Sequence, residues 1–312
     1  MSSESEDDQR GGPRVTMLAP GSARSEAEWT AALTKAGVKL GAKPLGLAFE
    51  FVENDGGFGE AFSFGTVPAK QVKAIDASPS ALVIYGQASL RDERKAYLEL
   101  ARALKKAGAI SLRLEQSKLG WLIDEWIERV GDEDGLLNAC VVTLDGDAGK
   151  QSCGMQVFGL PDVRCDDDEV LNALNRYQLL EDPLLISGHT FAPDAETKKR
   201  ELIRWPDDGY PQGHPCHNPF GVWRLGKPGA KKTLSVGDKA MVFMPSLAAL
   251  LTAGEEKKGK PLTQKEVLAV RDNGVCMAMD WKDAQKLERS RGYADLEPEL
   301  VWEQWQVLRS AE

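Results

Sequence analysis

The chain has 312 residues, of which 42% are hydrophobic, and its formal net charge is -9 at pH 7. This length favours two compact units with tails, because single domains usually hold about 100–200 residues. The acidic balance argues against binding to nucleic acid or to an anionic membrane, since both require a basic surface. No apolar run reaches the roughly twenty residues that span a bilayer, and the start lacks a signal-peptide core, so we expect a cytoplasmic location.

The first half of the chain alternates predicted strands and helices. Strands are predicted at 15–19, 45–52, 61–67, 81–85 and 110–114. The second and third are expected to form a hairpin, because the Asn54-Asp-Gly-Gly connection tolerates positive φ. Capping signals place helix starts near Ser25, Ser89 and Ser117. The last of these helices is predicted to carry Trp121 and Trp126, which at that spacing favour core packing over a ligand platform.

The segment 153–191 organises the chain as strand, acidic turn, helix and returning strand. A strand at 136–144 and its return at 153–160 predict a central hairpin, and the apolar character of both faces of 153–160 places this strand inside a sheet. The acidic run Asp166–Glu169 then opens a helix, where the helix dipole favours negative charge, and Asp182-Pro183 ends it. A calcium loop is the alternative for the acidic run, but the alternate spacing and distal Glu are missing.

The element order predicts an α+β fold, with mixed, mostly antiparallel sheets and helices packed on one face. We expect a disordered tail at 1–14, an α+β body at 15–230, a linker with a short apolar segment at 231–261, and a mainly helical C-terminal module at 262–312. A division of the body into 15–135 and 136–230 stays open.

The C-terminal module contains three predicted helices. A capping box of Thr263 and Glu266 starts the first, Val275 to Met279 form a short apolar strand or linker, and Pro298 begins the last. An apolar face on the last helix consists of Val301, Trp302, Trp305 and Leu308. This face is a partner site if residues 236–252 leave it uncovered, but docking onto the body is favoured, because terminal helices usually bury such stripes.

Several short motifs carry a resemblance to known families. With FSFGTVPAK, ALVIYGQ, RDERKAYLELARALKKAGAISLRLEQSKLGW, VFGLPDV and ISGHTF, residues 40–230 resemble a bacterial family of unknown function. In that family a strand, helix and strand precede an FGLP-like strand and a GHT-like turn, so the resemblance implies fold and supplies no catalytic residue. Residues 262–309, with RGY, EPE and WEQW, resemble a module at the ends of assorted bacterial proteins, also without a known activity.

One Pro/Gly-rich loop contains the candidate metal ligands. They are His214, Cys216 and His217, with His189 or Cys165 as a fourth. A tetrahedral zinc site normally draws on two separated pairs of ligands, and Pro215 restricts how the loop residues could converge. We therefore favour local hydrogen bonding by these residues and predict no metal and no cofactor.

A cysteine–histidine hydrolase is the alternative chemistry, because a thiolate nucleophile needs an adjacent base or positive charge. The candidate nucleophiles are Cys153, Cys165 and Cys216, and the candidate bases are His189 and His217. No serine elbow, HExxH or kinase motif occurs. The five cysteines are odd in number and spaced singly, so reduced thiols are expected. We assign no catalytic residue.

The leading hypothesis is a non-enzymatic protein that binds a protein partner, with the C-terminal module presenting or supporting the contact. The acidic charge also suits an antitoxin or immunity protein that covers the cleft of a basic enzyme. Two alternatives stay open: a metal-dependent or Cys/His hydrolase built on His189, His214, Cys216 and His217, and a small-ligand domain with Trp121 or Trp126 lining a pocket.

Overall fold

A computed structural model describes residues 14–39, 41–64, 66–146, 149–227, 235–236 and 239–310. Apart from its last residue, the tail predicted at 1–14 lies outside this part of the chain. The α+β prediction is confirmed, because helices accompany three mostly antiparallel sheets. The chain divides into two compact units, an N-terminal unit of Gly12–Leu144 with Ser152–Leu160 and a C-terminal unit of Asp145–Gln151 with Pro161–Glu312.

The N-terminal unit is built on one antiparallel sheet. Its strands are β1 Val15–Gly21, β2 Ala48–Glu53, β3 Ser80–Gly86, β4 Ser111–Leu114 and β5 Gly120–Leu122. Its helices are α1 Glu26–Lys35, α2 Phe58–Ala61, α3 Ala69–Asp76, α4 Arg94–Lys106, α5 Ile123–Gly131 and α6 Glu133–Cys140. The strand order is β2-β3-β1-β4-β5. This order differs from the chain order, so β1 lies at the centre of the sheet.

The C-terminal unit contains the remaining elements, except for residues 142–144 of β6 and the segment 152–160, which belong to the N-terminal unit. The strands from this point on are β6 Val142–Gly146, β7 Gly149–Cys153, β8 Asp162–Cys165, β9 Thr190–Phe191, β10 Arg200–Trp205, β11 Val222–Gly226, β12 Ser235–Val236, β13 Lys239–Phe243 and β14 Cys276–Asp280. The helices are α7 Asp168–Glu181, α8 Leu247–Lys258, α9 Gln264–Asn273, α10 Trp281–Arg291 and α11 Val301–Ser310. The chain passes between the two units within β6 and β7.

Two further sheets follow from these strands. One has the order β6-β7-β8-β11-β10-β9, in which β8 and β11 run parallel, and the other has the order β12-β13-β14. Helix α7 covers the first sheet, because Val170, Leu171 and Leu174 pack with Val163 and Trp223 in one apolar cluster. Within the described part of the chain, no helix is long and apolar enough to cross a bilayer.

The prediction of a strand at 61–67 is wrong. The chain forms α2 and a turn there, and β2 pairs with β3 instead of closing a hairpin. Phe58 and Phe62 stand four residues apart, so a helical turn places both on one side, where they are buried together with Val67 and Ile75. Helix α3, which carries Ile75, is not predicted from the sequence, because it has only eight residues and no side-chain N-cap.

The helix predicted from Ser117 and the strand predicted at 136–144 are also partly wrong. Residues 120–122 form β5 in a hairpin with β4, and the helix begins only at Ile123. The backbone N–H of Leu114 donates to the Leu119 carbonyl at 2.9 Å and closes the turn. Residues 133–140 form α6, and only β6 realises the predicted strand. The central hairpin is therefore formed by β6 and β7.

The strand predicted at 153–160 is a buried 3-10 turn over Met155–Phe158. Its amides follow the i to i+3 pattern, with the N–H of Val157 donating to the Gly154 carbonyl at 3.2 Å. The amide of Leu90 donates to the Val157 carbonyl at 2.8 Å. The apolar run thus indicates that the segment is completely buried. A turn enclosed by side chains is buried in the same way as a central strand, so the pattern does not distinguish the two.

The apolar face of the last helix is covered, which confirms the favoured prediction. Val301 and Trp305 are buried in one cluster with Phe243, Leu247 and Leu251. The capping box of Thr263 and Glu266 at α9 is also present as predicted. Segment 262–312 therefore shares both an apolar cluster and a sheet with residues 239–258.

Candidate functional site

The loop between β10 and β11 contains His214, Cys216 and His217. The ring of His214 stacks on Tyr210 with 4.8 Å between ring centroids, and its Nδ1 accepts a hydrogen bond from the Cys216 amide at 3.1 Å. His217 Nδ1 lies 2.9 Å from the Tyr210 carbonyl oxygen. Cys216 is buried. These contacts hold the loop together, as the favoured prediction of local hydrogen bonding expects.

The fourth candidate ligand, His189, immediately precedes β9. Its backbone N–H donates to the Ile186 carbonyl at 3.1 Å, and its own carbonyl accepts from the Leu202 amide at 2.8 Å. Across the residues that the structure describes, no group of three or more His, Cys, Asp or Glu could hold a metal ion. His189, His214, Cys216 and His217 are thus not brought together as a ligand set.

A cleft lies beside the histidine loop. It has a volume of about 370 Å³, including the part open to solvent, and Trp205, Asp207, His217, Asp295 and Gln304 are among its lining residues. Gln304 donates to the Arg204 carbonyl at 2.9 Å and accepts from the Glu297 amide at 2.7 Å. The Gln304 side-chain amide therefore links α11 to β10, and both its nitrogen and its oxygen form hydrogen bonds within the protein.

Two buried carboxylates support the floor of this cleft. Asp207 accepts from the backbone amides of Gly209 and Asn218, both at 2.9 Å. Asn218 also donates its side-chain amide to Asp162 at 2.7 Å. Buried carboxylates need such donors, because an unpaired charge away from water is costly. The arrangement explains the loop's shape, and it also places His217 Nδ1 3.9 Å from the buried Asp207 carboxylate.

A second polar cluster lies on the sheet next to Trp205. Arg164 and Arg224 occupy partnered positions on β8 and β11, and both contact Asp208, at 2.6 and 2.5 Å. Arg224 also lies over the Trp205 ring at 4.6 Å. Burial opposes ionisation of Asp208, but the two guanidinium groups outweigh it and lower the pKa of Asp208. Asp208 is thus the counter-ion of both arginines, and the cluster stabilises the pairing of β8 with β11.

The two tryptophans proposed as a ligand platform are core residues. Trp121 is 8% exposed on β5 and Trp126 is 0% exposed on α5. The indole N–H of Trp121 donates to the Ala139 carbonyl at 3.0 Å, and the guanidinium of Arg129 lies 4.0 Å from its ring. Both rings are enclosed by their own unit, so the core prediction is confirmed.

The largest exposed apolar feature of the C-terminal unit, among its described residues, is the outer strand of its small sheet. We call it the β14 edge and define it as Met244 with residues 275–280. Val275 is 72% exposed, Met277 48% and Met244 42%. The sequence predicts a short apolar strand or linker here, and it does not show that the segment lies at the edge of a sheet.

The register of β14 shows which backbone groups face outward. The amide of Met244 donates to the Val275 carbonyl at 2.9 Å, so this is a hydrogen-bonded pair of the antiparallel ladder. Because such pairs alternate, the backbone groups of Met277 also point to β13, whereas those of Cys276, Ala278 and Asp280 point away from it. Among the strands that the structure describes, only β13 pairs with β14.

Comparison with known proteins adds no further evidence. No protein-family model matches the chain, no curated protein matches it, and no solved structure matches it. The resemblances of residues 40–230 and 262–309 to families of unknown function therefore stay predictions.

Proposed function

We propose that this protein is a non-enzymatic, cytoplasmic protein-binding module that docks its partner through the β14 edge. The observation that carries the proposal is an outer strand whose outward backbone groups meet no other strand of the described chain and whose first three side chains, Cys276 to Ala278, are uncharged and exposed. A strand of this kind is a template for another extended segment, which gains backbone hydrogen bonds and buries apolar surface on pairing.

The other sheet edges support this choice by contrast. Strand β9 has two residues, β12 two and β5 three, β2 carries Glu50 and Glu53, and β6, which has five residues like β14, carries Asp145 at its fourth position. Short length and charge are the usual protections of an exposed edge. Strand β14 has five residues, and the first four, Cys276 to Met279, are uncharged. It lacks these protections, which is expected of an edge that is used.

Affinity capture from a lysate of the source cells tests the proposal. Three versions of the full chain serve as bait: the wild type, Met277→Lys and the matched control Phe64→Lys. Phe64 is another exposed apolar residue, 63% exposed, in the N-terminal unit. We expect a partner that the wild type and the control retain and that Met277→Lys loses. A partner retained equally by all three baits would contradict docking at β14.

The narrower immunity hypothesis rests on the net charge of -9 and on the small-domain architecture. The β14 edge is apolar and does not select a basic partner over another. The hydrolase alternative rests on His189, His214, Cys216 and His217. It would gain support only from activity that is lost in a His217→Ala variant that remains folded.

A further inference from the structure

We infer that the occupant of the β14 edge is a second copy of this chain, with two β14 strands pairing antiparallel about a two-fold axis at Ala278. The inference rests on the proposed function and names its partner. Each copy would contribute its β12-β13-β14 sheet, so that the pair shares one continuous six-stranded sheet. Such an interface is isologous, since the same strand is presented by both copies.

The spacing of the outward-facing residues selects the register. With Ala278 opposite Ala278 of the second copy, Cys276 lies opposite Asp280 and Asp280 opposite Cys276. The Ala278 pair and the Asp280 amide are then hydrogen-bonded across the axis, whereas the Asp280 carbonyl, at the N-cap of α10, already accepts from the first turn of that helix. A shift of two residues sets Asp280 against Gly274, or Cys276 against Lys282, and both of these lie outside the strand.

The side chains of Met277, Ala278 and Met279 are compatible with this register. Met277 lies opposite Met279 of the second copy, so the exposed Met277 side chain packs on the half-buried Met279 side chain on one face of the sheet. The residue at the axis is alanine, which lets the two backbones approach without a steric conflict. The exposed area of Met277 is thereby removed from water without any rearrangement of the strand.

Two ion pairs near the edge lie within one copy, so these four charges do not oppose a partner of identical charge. Arg271 pairs with Asp272 at 2.7 Å, and Lys286 pairs with Asp283 at 3.0 Å. Lys239 is the cross-strand partner of Asp280. A register centred on Asp280 would oppose two carboxylates directly, which is unfavourable. The Ala278-centred register avoids this repulsion.

Solution mass of the full chain tests the inference first. Sedimentation equilibrium over a concentration series is expected to give twice the mass of one chain for the wild type and for Phe64→Lys. Ala278→Pro removes an outward N–H while leaving the ladder to β13 intact, and it is expected to sediment as a monomer. A wild type that stays monomeric at every concentration overturns the second copy as occupant.

Disulfide trapping tests the register independently of any folding defect in the proline variant. Hydrogen-bonded antiparallel pairs hold their Cα atoms about 5.5 Å apart, within the range that a disulfide spans. Asp280→Cys should therefore cross-link to Cys276 of the second copy. Oxidised glutathione accepts the two electrons and two protons that the thiols release. The matched variant Met279→Cys lies opposite Met277 and should not cross-link at a comparable rate.

The outcomes separate this inference from the proposed function. Equal cross-linking of Asp280→Cys and Met279→Cys overturns the register. A monomeric wild type that still captures a lysate protein in a Met277-dependent way overturns the second copy and leaves the proposed function standing. A monomeric wild type without such capture overturns both.

Discussion

Asn218 donates its side-chain amide to Asp162 across 2.7 Å, and both residues are almost completely buried. Asp162 opens β8, whereas Asn218 lies in the loop that precedes β11. The two strands are parallel neighbours, so this contact anchors the loop to the start of the adjacent strand. A hydrogen bond to a buried carboxylate is stronger than one between neutral groups.

Replacement of Asn218 by Ala should lower the free energy of unfolding by roughly 2–3 kcal/mol, because the Asp162 carboxylate loses a donor while it stays buried. Urea denaturation measures the change. Gln212→Ala is the matched control, since it removes an exposed amide from the same loop and should have an effect within about 0.5 kcal/mol. Equal losses in both variants would contradict a special role for the Asn218 amide.

Glu297 should make the stability depend on pH. Its side chain accepts a hydrogen bond from Ser187, and burial raises the pKa of Glu297 from 4.5 to about 7 despite the opposing effects of Ser187 and Arg204. The folded state therefore binds a proton that the unfolded state has released. This stabilisation is fully present below about pH 4.5 and is lost as the pH rises through about 7.

Unfolding free energies of the wild type and Glu297→Gln, measured from pH 5 to pH 8, test this linkage. The difference between them should change by roughly 2–3 kcal/mol in favour of the variant, because one pKa unit corresponds to about 1.4 kcal/mol. Glutamine keeps an acceptor for Ser187 and does not titrate. Parallel profiles for the two proteins would show that Glu297 does not titrate differently in the folded state.

Trp305 should be a main contributor to the stability of the C-terminal unit. It is buried in the apolar cluster there, and its indole N–H donates to Glu255 at 3.3 Å. Trp305→Ala is expected to cost about 3–5 kcal/mol through lost burial and a cavity. Trp302, three residues earlier and only partly buried, provides the comparison. Trp302→Ala should cost less than half as much by chemical denaturation.

Gly154 precedes the buried 3-10 turn in a conformation that other residues adopt only with strain. Its φ is +122°, and a Cβ atom there would lie 2.3 Å from the Cys140 carbonyl oxygen. Gly56, with φ +86°, would meet no atom within 4 Å of an added Cβ and separates the backbone effect from the steric one. Gly56→Ala should cost about 1–2 kcal/mol, and Gly154→Ala clearly more. Thermal unfolding of both variants measures the difference, and equal losses would show that the steric conflict is relieved.

Three helix starts with local capping signals follow from the sequence alone, whereas the signals at Ser89 and Ser117 do not start a helix, since α4 begins at Arg94 and α5 at Ile123. Ser25, Asp167 and Thr263 each accept a backbone hydrogen bond at the start of α1, α7 and α9, where the sequence predicts a helix start. These contacts span two or three residues, so neighbouring side chains suffice to specify them. The α+β class follows in the same way from the mixed order of strands and helices.

Only tertiary structure decided the form of the apolar runs at 61–67 and 153–160. Such runs show that a segment is buried, but a strand, a short helix and a 3-10 turn can bury the same residues. Phe62 lies in a helical turn because it packs there against Phe58 and Ile75. Val157 lies in a 3-10 turn, where its carbonyl accepts a hydrogen bond from the Leu90 amide. These partners lie outside the local window.

The β14 edge likewise could not be predicted from the local sequence. Sequence alone predicts a short apolar strand or linker at Val275 to Met279 and an apolar stripe containing Trp305. Tertiary packing buried Trp305 against Phe243 and left Met277 on an outer strand. The two outcomes could not be distinguished beforehand, because exposure depends on which elements lie alongside a segment, and those elements are distant in the sequence.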